Sequence, residues 1–156
     1  MTNMQISIKP FDLNSAEEMV RLFSTDEVVR KELGLDRTEF SAEEEFKFVT
    51  DWCRKKNAEQ FVIRYGNEFA GMISLSHIDI RSATARTGYW IGSRFRNKSI
   101  GSKAFEALLG IAISKGISEV RSDIDKDNEY SLRIWRKYNP VIKEKDEKQY
   151  TVRMKI

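Results

Sequence analysis

The stretch Trp90–Lys103 reads WIGSRFRNKSIGSK. It runs from the end of a predicted strand (Trp90, Ile91) through a short loop of small and cationic residues into an apolar helix expected to open at Ser102. The first N–H groups of a helix have no partners inside it, and the positive end of the helix dipole stands behind them. A phosphate is therefore at home there. Arg96, Lys98 and Lys103 add positive charge, Gly101 lets oxygen atoms approach the main chain, and Ile100 between small residues can plug the loop into the core. A polar surface turn ending in a helix cap would use many of the same residues, so the loop needs its surroundings to be read.

Upstream, Met4 to Lys9 alternates apolar and polar side chains and is closed by Pro10, as a first strand is. Asn14 or Ser15 is expected to cap a helix carrying Met19, Val20, Leu22 and Phe23, and Asp26 to Leu33 reads as a short helical piece ended by Gly34. Ser41 with Glu44 forms a capping box for a helix through Phe46, Val49, Trp52 and Cys53. The acids Glu43 to Glu45 belong in its first turn more simply than around a cationic ligand. Gln60–Tyr65 and Phe69–Ile78 flank the turn Gly66-Asn67 as a hairpin, Arg81 to Ala85 is a polar connection, and Thr87–Ile91 is the next strand.

Downstream of the loop, Phe105, Leu108, Leu109, Ala112 and Ile113 keep helical spacing as far as Gly116. Ser118–Ile124 is a strand, Asn128 caps a helix through Ile134 and Tyr138, and Pro140 ends it. Val141–Lys145 and Gln149–Ile156 close the chain as a hairpin whose apolar alternation suits a core or an interface. This order of elements predicts an α+β layout around one mixed sheet.

A chain of 156 residues fits a single domain with a proper core. The net charge of +3 is small and acids alternate with bases, which gives no support to a nucleic-acid partner. Cys53 is the lone cysteine and His77 the lone histidine, so neither an intrachain disulfide nor a cysteine- or histidine-cluster metal site is expected. The first residues, MTNMQISIKPF, carry no apolar signal core, and the longest nearly apolar run, Ala107–Ile113, is too short to span a bilayer. No membrane partner and a cytoplasmic location are the expectation.

Three motifs in order now resemble the GNAT superfamily of N-acetyltransferases, and within it the branch of ribosomal-protein alanine N-acetyltransferases. Arg96, Asn97, Lys98, Ser99, Ile100 and Gly101 stand where the family has its Arg/Gln-x-x-Gly-x-Gly/Ala loop. Gly88 to Gly92 is similar to the branch's strand before that loop, and Asn128, Ser131 and Arg133 match its Asn-x-x-Ser-x-Arg signature. The resemblance implies a mixed, mostly antiparallel seven-stranded sheet flanked by about four helices. It also implies acetyl-CoA as co-substrate, without a metal, and a small-molecule or peptide amine as acceptor, with the chain a monomer or homodimer. By resemblance the main chain from Arg96 to Ser102 would hold the CoA diphosphate. The strand ending near Ile91 would pair with the pantetheine amides and polarise the acetyl carbonyl. Asn128 would bind the pantetheine arm, and Ser131 would lie near the sulfur.

Four positions depart from the family pattern. Ser99 replaces the first loop glycine, and Asn139-Pro140 replaces the usual Gly-Phe. Trp135 stands where many relatives carry a tyrosine that protonates the departing thiolate, which an indole cannot do. Ala85, Arg86 and Thr87 occupy the place of a common glutamate, so the strand offers no obvious general base. Deprotonating a lysine-type amine at pH 7 costs about 4.6 kcal/mol, and an α-amine only about 1.4 kcal/mol. The expected acceptor is therefore an α-amine or an amine of lowered pKa. His77, and more weakly Asp79 and Glu68, are candidate bases, His77 being as well explained as a structural residue. Cys53 lies on an apolar helical stripe far from the loop and is a poor nucleophile candidate. A CoA-binding module without catalysis is the competing reading.

Overall fold

Seven strands join into one sheet in the computed structural model, which describes residues 5–156. Met4, the expected start of the first strand, lies outside the described residues. The order across the sheet is β1 (Ile6–Pro10), β2 (Glu59–Tyr65), β3 (Glu68–Asp79), β4 (Thr84–Ile91), β5 (Glu119–Asp125), β7 (Gln149–Lys155) and β6 (Val141–Glu144). Every pairing is antiparallel except β4 with β5. A parallel pair needs a crossover, and α4 (Ile100–Ser114) supplies it. The expected α+β class and the mostly antiparallel seven-stranded sheet are thus what the chain builds.

The two faces of the sheet carry different cores because strand side chains alternate. On one face Ile63, Ile73, Leu75, Ala85 and Ile91 pack with Phe105 and Leu108 of α4 and with Leu132 and Trp135 of α5 (Glu129–Arg136). On the other, Val62, Met72 and Trp90 pack with Met19 and Phe23 of α1 (Leu13–Thr25), Val29 of α2 (Glu27–Glu32) and Val49 of α3 (Ala42–Lys55). Val152 and Met154 are buried, so the alternation of the last strand serves the core. A doubly bonded pair, Arg64 to Glu18, ties α1 to β2.

Several boundaries differ from expectation for identifiable reasons. Asp12, not Asn14 or Ser15, caps α1: its carboxylate accepts from Ser15 N at 2.8 Å. Among the described residues the short helical piece expected over Asp26 to Leu33 forms as α2, Glu27–Glu32, which Asp26 starts by accepting from Val29 N. β4 begins at Thr84, inside the expected polar connection, and residues 84–86 are the ones that pair with β5. α4 opens two residues early, at Ile100. α5 stops at Arg136, short of Tyr138.

Candidate active site

β4 and β5 pair only from Thr84↔Glu119 to Arg86↔Arg121. Beyond that point β4 stays with β3 and β5 stays with β7, so the sheet splits into a V. From Thr87 to Ile91 one edge of β4 has no strand beside it, and its main-chain groups face the gap. α5 lies under the opening, with Ser131 and Trp135 on the floor beside Thr87 and Ile124. The gap continues into a cleft of about 760 Å³ lined by Tyr89, Ile91, Arg96, Asn97, Asn128 and Ser131, with Glu32 and Leu33 on its outer wall. Six of the residues singled out from sequence or standing beside them are therefore brought to one place.

The N-terminus of α4 follows directly on the cleft-lining Arg96 and Asn97, although residues 98–102 do not themselves line the cleft. Side chains cap α1 (Asp12), α2 (Asp26), α3 (Ser41) and α5 (Asn128), whereas Ser99 makes no side-chain cap on α4 and no acid lies in its first turn. The N–H groups of residues 99–102 are left for an outside acceptor, as Lys103 N is the first to bond back, to Ser99 O at 3.2 Å. Asn97 (φ 64) and Ser99 (φ 60) both take the left-handed conformation. These left-handed residues turn the chain from the extended Arg96 into the helix whose first N–H groups are free. Asn97, Lys98 and Ser99 are exposed there, and Ile100, 1% exposed, anchors the loop in the core. Ser102 Oγ accepts from Lys137 Nζ at 2.7 Å. Gly101 leaves room for a neighbour the sequence did not reveal: a Cβ on it would meet the Tyr130 hydroxyl at 2.9 Å, so the Tyr130 ring would have to shift.

Arg96 does not point freely at the start of α4. Its guanidinium donates to Ile91 O (2.9 and 3.2 Å) and to both carboxylate oxygens of Glu32 (2.6 and 2.8 Å). The bonds to Glu32, with partial burial opposing them, hold Arg96 above its usual pKa. Asp26 makes a similar tie: besides capping α2 it accepts from Ser93 N at 2.7 Å. Burial works against its charge, but the N–H groups of Ser93 and Val29 keep its carboxyl below the usual range.

Deeper in the gap, Ser131 is buried and its N–H donates to Asn128 Oδ1 at 3.1 Å, so Asn128 caps α5 while lining the cleft. Ser131 Oγ lies 2.6 Å from the Tyr89 hydroxyl. Burial pushes the Tyr89 phenol up to about 12, against the opposing pull of the Ser131 bond. Trp135, 1% exposed, packs on Phe105 with ring centroids 5.2 Å apart.

The structure does not bring His77 to this place. It sits at the far end of β3, in a bulge where φ is 51°, and lines a separate surface groove with Lys55, Lys56 and Arg81. Partial burial, then Arg86, Lys56 and Arg121, push its imidazole below the usual range. The expectation of His77 as catalytic base is corrected on geometry. Its placement follows from the main chain, since His77 N donates to Lys56 O at 2.7 Å. Glu68 pairs with Arg94 outside the V, and Asp79 caps the β3–β4 turn through Arg81 N and Ser82 N. Cys53 is half-buried, and burial raises its thiol pKa. Among the described residues no cluster of metal-ligating side chains occurs, and no helix is long and apolar enough to cross a membrane.

Comparison with known proteins bears on this arrangement. Residues 5–139 match the family model of the acetyltransferase (GNAT) domain. No curated protein sequence matches the chain. Among solved structures, the RimL ribosomal L7/L12 α-N-protein acetyltransferase in complex with coenzyme A superposes with a TM-score of 0.79 at 19% identity, over 99% of this chain and 96% of that one. The microcin C7 self-immunity acetyltransferase MccE, in complex with acetyl-CoA and AMP, gives 0.80 at 20% identity, over 97% and 93%. The Campylobacter jejuni N-acetyltransferase PseH gives 0.69 at 18% identity, over 96% and 97%. With a split sheet, an uncapped helix just after the cleft-lining Arg96 and Asn97 and a family model spanning most of its length, the chain belongs to the GNAT superfamily of acetyl-CoA-dependent N-acetyltransferases.

Proposed function

We propose that the cleft binds acetyl-CoA with its diphosphate on the N–H groups of residues 97–102, beside Arg96, and its pantetheine arm in the V. The acetyl group is then handed directly to an amine in a ternary complex. The observation that carries this reading is the N-terminus of α4, which lacks a capping side chain where the other four α-helices have one, and which follows directly on residues lining a cleft edged by an unpaired strand. Amides at such a helix start favour phosphate, and the free edge of β4 offers main-chain partners to an amide-bearing arm. The amine lone pair attacks the thioester carbonyl, a β4 N–H supports the oxyanion, and the C–S bond breaks without a covalent enzyme intermediate.

The acceptor is an α-amine, such as a peptide N-terminus, or another amine of lowered pKa. No histidine reaches the V, and Asp123 on its wall is held by Lys145, Thr151 and Arg86 at a carboxyl pKa of about 2, far too low to take a proton from an ammonium. The other acidic groups lining the cleft, Glu32, Asp125 and Asp127, are carboxylates, weak bases toward an ammonium, so the amine must be largely neutral beforehand, which favours α-amines by about 3 kcal/mol over lysine-type amines. The lone Cys53 fits a reducing compartment, the cytoplasm. Thiol release from acetyl-CoA over a panel of amines tests the reading. A preference for peptide α-amines is expected, and preference for spermidine or lysine side chains would refute the acceptor class.

A further inference from the structure

We propose that the sheet face beside the V is a docking surface for the acceptor: a row of arginines on three neighbouring strands holds an acidic peptide segment that follows the α-amine. This deepens the α-amine reading above and rests on it. Arg86 of β4 lies opposite Arg121 of β5, and Arg121 lies opposite Arg153 of β7. Their chain neighbours Ala85, Val120, Val152 and Met154 are buried in the core that includes α4, so by strand alternation the three arginines share the opposite face. Like charges directly opposite one another work against a sheet, so aligning three of them does not serve the fold. Nearby carboxylates balance only part of the row. Arg86 is bonded to Asp123, which also takes Lys145, and Arg153 stands 3.9 Å from Glu119. Arg121, exposed between them, has no ion pair among the described residues, and the exposed Lys143 and Lys155 add charge to the same face.

The row is continuous with the site. Arg86 is the last residue of β4 paired with β5, so the arginines begin at the apex of the V, and Asp123, bonded to Arg86, lines the small pocket under the opening. Inside the cleft the sign is reversed, since Glu32, Asp125 and Asp127 line it. An α-ammonium is therefore drawn into the cleft and carboxylates onto the row, which orients an incoming chain with its N-terminus inward. Neighbouring strands lie about 4.8 Å apart, so the row spans about 10 Å, the reach of about three extended residues. The matching occupant is a polypeptide whose acidic side chains stand within a few positions of its free N-terminus, where the planar guanidinium groups can take each carboxylate with two bonds. A nucleic acid suits the face less: Glu119, Asp123 and Asp125 interrupt the cations that a run of phosphates would need.

Thiol release from acetyl-CoA tests the surface with two peptides that share their first residue and differ only in the next three, all glutamate in one and all glutamine in the other. One exposed ion pair is worth up to about five-fold, so the acidic peptide should be preferred about ten-fold in kcat/KM, mainly through KM. Raising the salt from about 0.1 M to about 1 M shortens the screening length from about 10 Å to about 3 Å and should shrink that preference. Arg121→Glu should abolish or reverse it, with Arg121→Gln in between, and neither variant should melt earlier, because each relieves repulsion between Arg86 and Arg153 and their neighbour. Lys9→Glu makes the same change of charge on β1, at the opposite edge of the sheet, and should keep the preference. Equal rates with both peptides, or a preference that Arg121→Glu leaves intact, would overturn the docking surface while the α-amine reading stands. Inhibition by a short RNA where an N-terminally blocked glutamate peptide has no effect would overturn it too. If neither peptide speeds thiol release and another amine does, the α-amine reading itself fails and takes the surface with it.

Discussion

Substituting alanine at two glycines of neighbouring strands tests how the V is held open. A Cβ on Gly71 of β3 would sit 2.1 Å from the Trp90 carbonyl oxygen and 3.0 Å from Ile91 Cα. A relaxed carbon–oxygen contact is about 3.3 Å, so the last residues of β4 would have to retreat by about 1.2 Å. These are main-chain atoms, and the adjoining bond from Gly92 N to Ala70 O, 2.7 Å, would be pulled with them. Overpacking of this kind costs about 1–3 kcal/mol, and one lost hydrogen bond about 1 kcal/mol more. At roughly 2–4 °C per kcal/mol for a chain of this size, Gly71→Ala should melt about 4–16 °C lower. A 1 Å displacement beside the reacting groups can cost about 100-fold in kcat/KM, which thiol release would show. Gly88→Ala is the control for folding: its Cβ would find only Ser74 Oγ, at 3.7 Å, and the melting temperature should stay within about 2 °C. A Gly71→Ala protein that melts and turns over normally would refute the tight contact between β3 and the end of β4.

Ser99→Gly removes a left-handed serine at φ 60; the gain of about 1–2 kcal/mol is partly offset by about 0.4–1 kcal/mol of unfolded-chain entropy. Its melting point should rise by a few degrees and acetyl-CoA affinity be kept or improved; a large loss of affinity by calorimetry would contradict this. Arg96→Ala gives up two bonds to Ile91 O and the pair with Glu32, and CoA affinity should fall about ten-fold or more; unchanged binding would remove Arg96 from the site. Asp123 has a carboxyl pKa lowered from 3.8 to about 2 by Lys145 first, then Thr151 and Arg86. Its stabilisation is thus full above the unfolded value and is lost as pH falls through about 2. The gap in melting temperature between the unmodified protein and Asp123→Asn should therefore close between pH 4 and pH 2, and a gap constant over that range would sink the assignment. Cys53→Ala should leave kcat/KM within about two-fold, since the half-buried thiol is remote from the V; inactivation would revive a cysteine nucleophile.

Local signals carried much of this architecture. Ser41 and Asn128 cap where capping chemistry says they should, and the Gly66-Asn67 turn joins β2 to β3. The loop after β4 was legible as a turn into a helix because Asn97 and Ser99 are residue types that tolerate the left-handed conformation they take. Other features depend on partners distant in sequence. The polar run Thr84 to Arg86 looks like a connection until β5, over thirty residues later, pairs with it. Tyr89 reads as a strand aromatic until α5 brings Ser131 to its hydroxyl. His77 carries the right chemistry for a base, but a bulge decides where it points. The aspartate that caps α1 lies just ahead of two residues that fit the same pattern, and only geometry chooses among the three.

Helix α2 is six residues long, and both ends are fastened to the loop ahead of α4: Asp26 to Ser93 in front, Glu32 to Arg96 behind. Its remaining surface borders the cleft through Leu33. If the loop grips the nucleotide as proposed, a molecule that settles against this small helix presses on it, and the nucleotide presses back. Because linkage is reciprocal, whatever free energy one occupant lends the other must be returned in equal measure. The two substrates of this enzyme should accordingly sense each other's arrival through one and a half turns of helix.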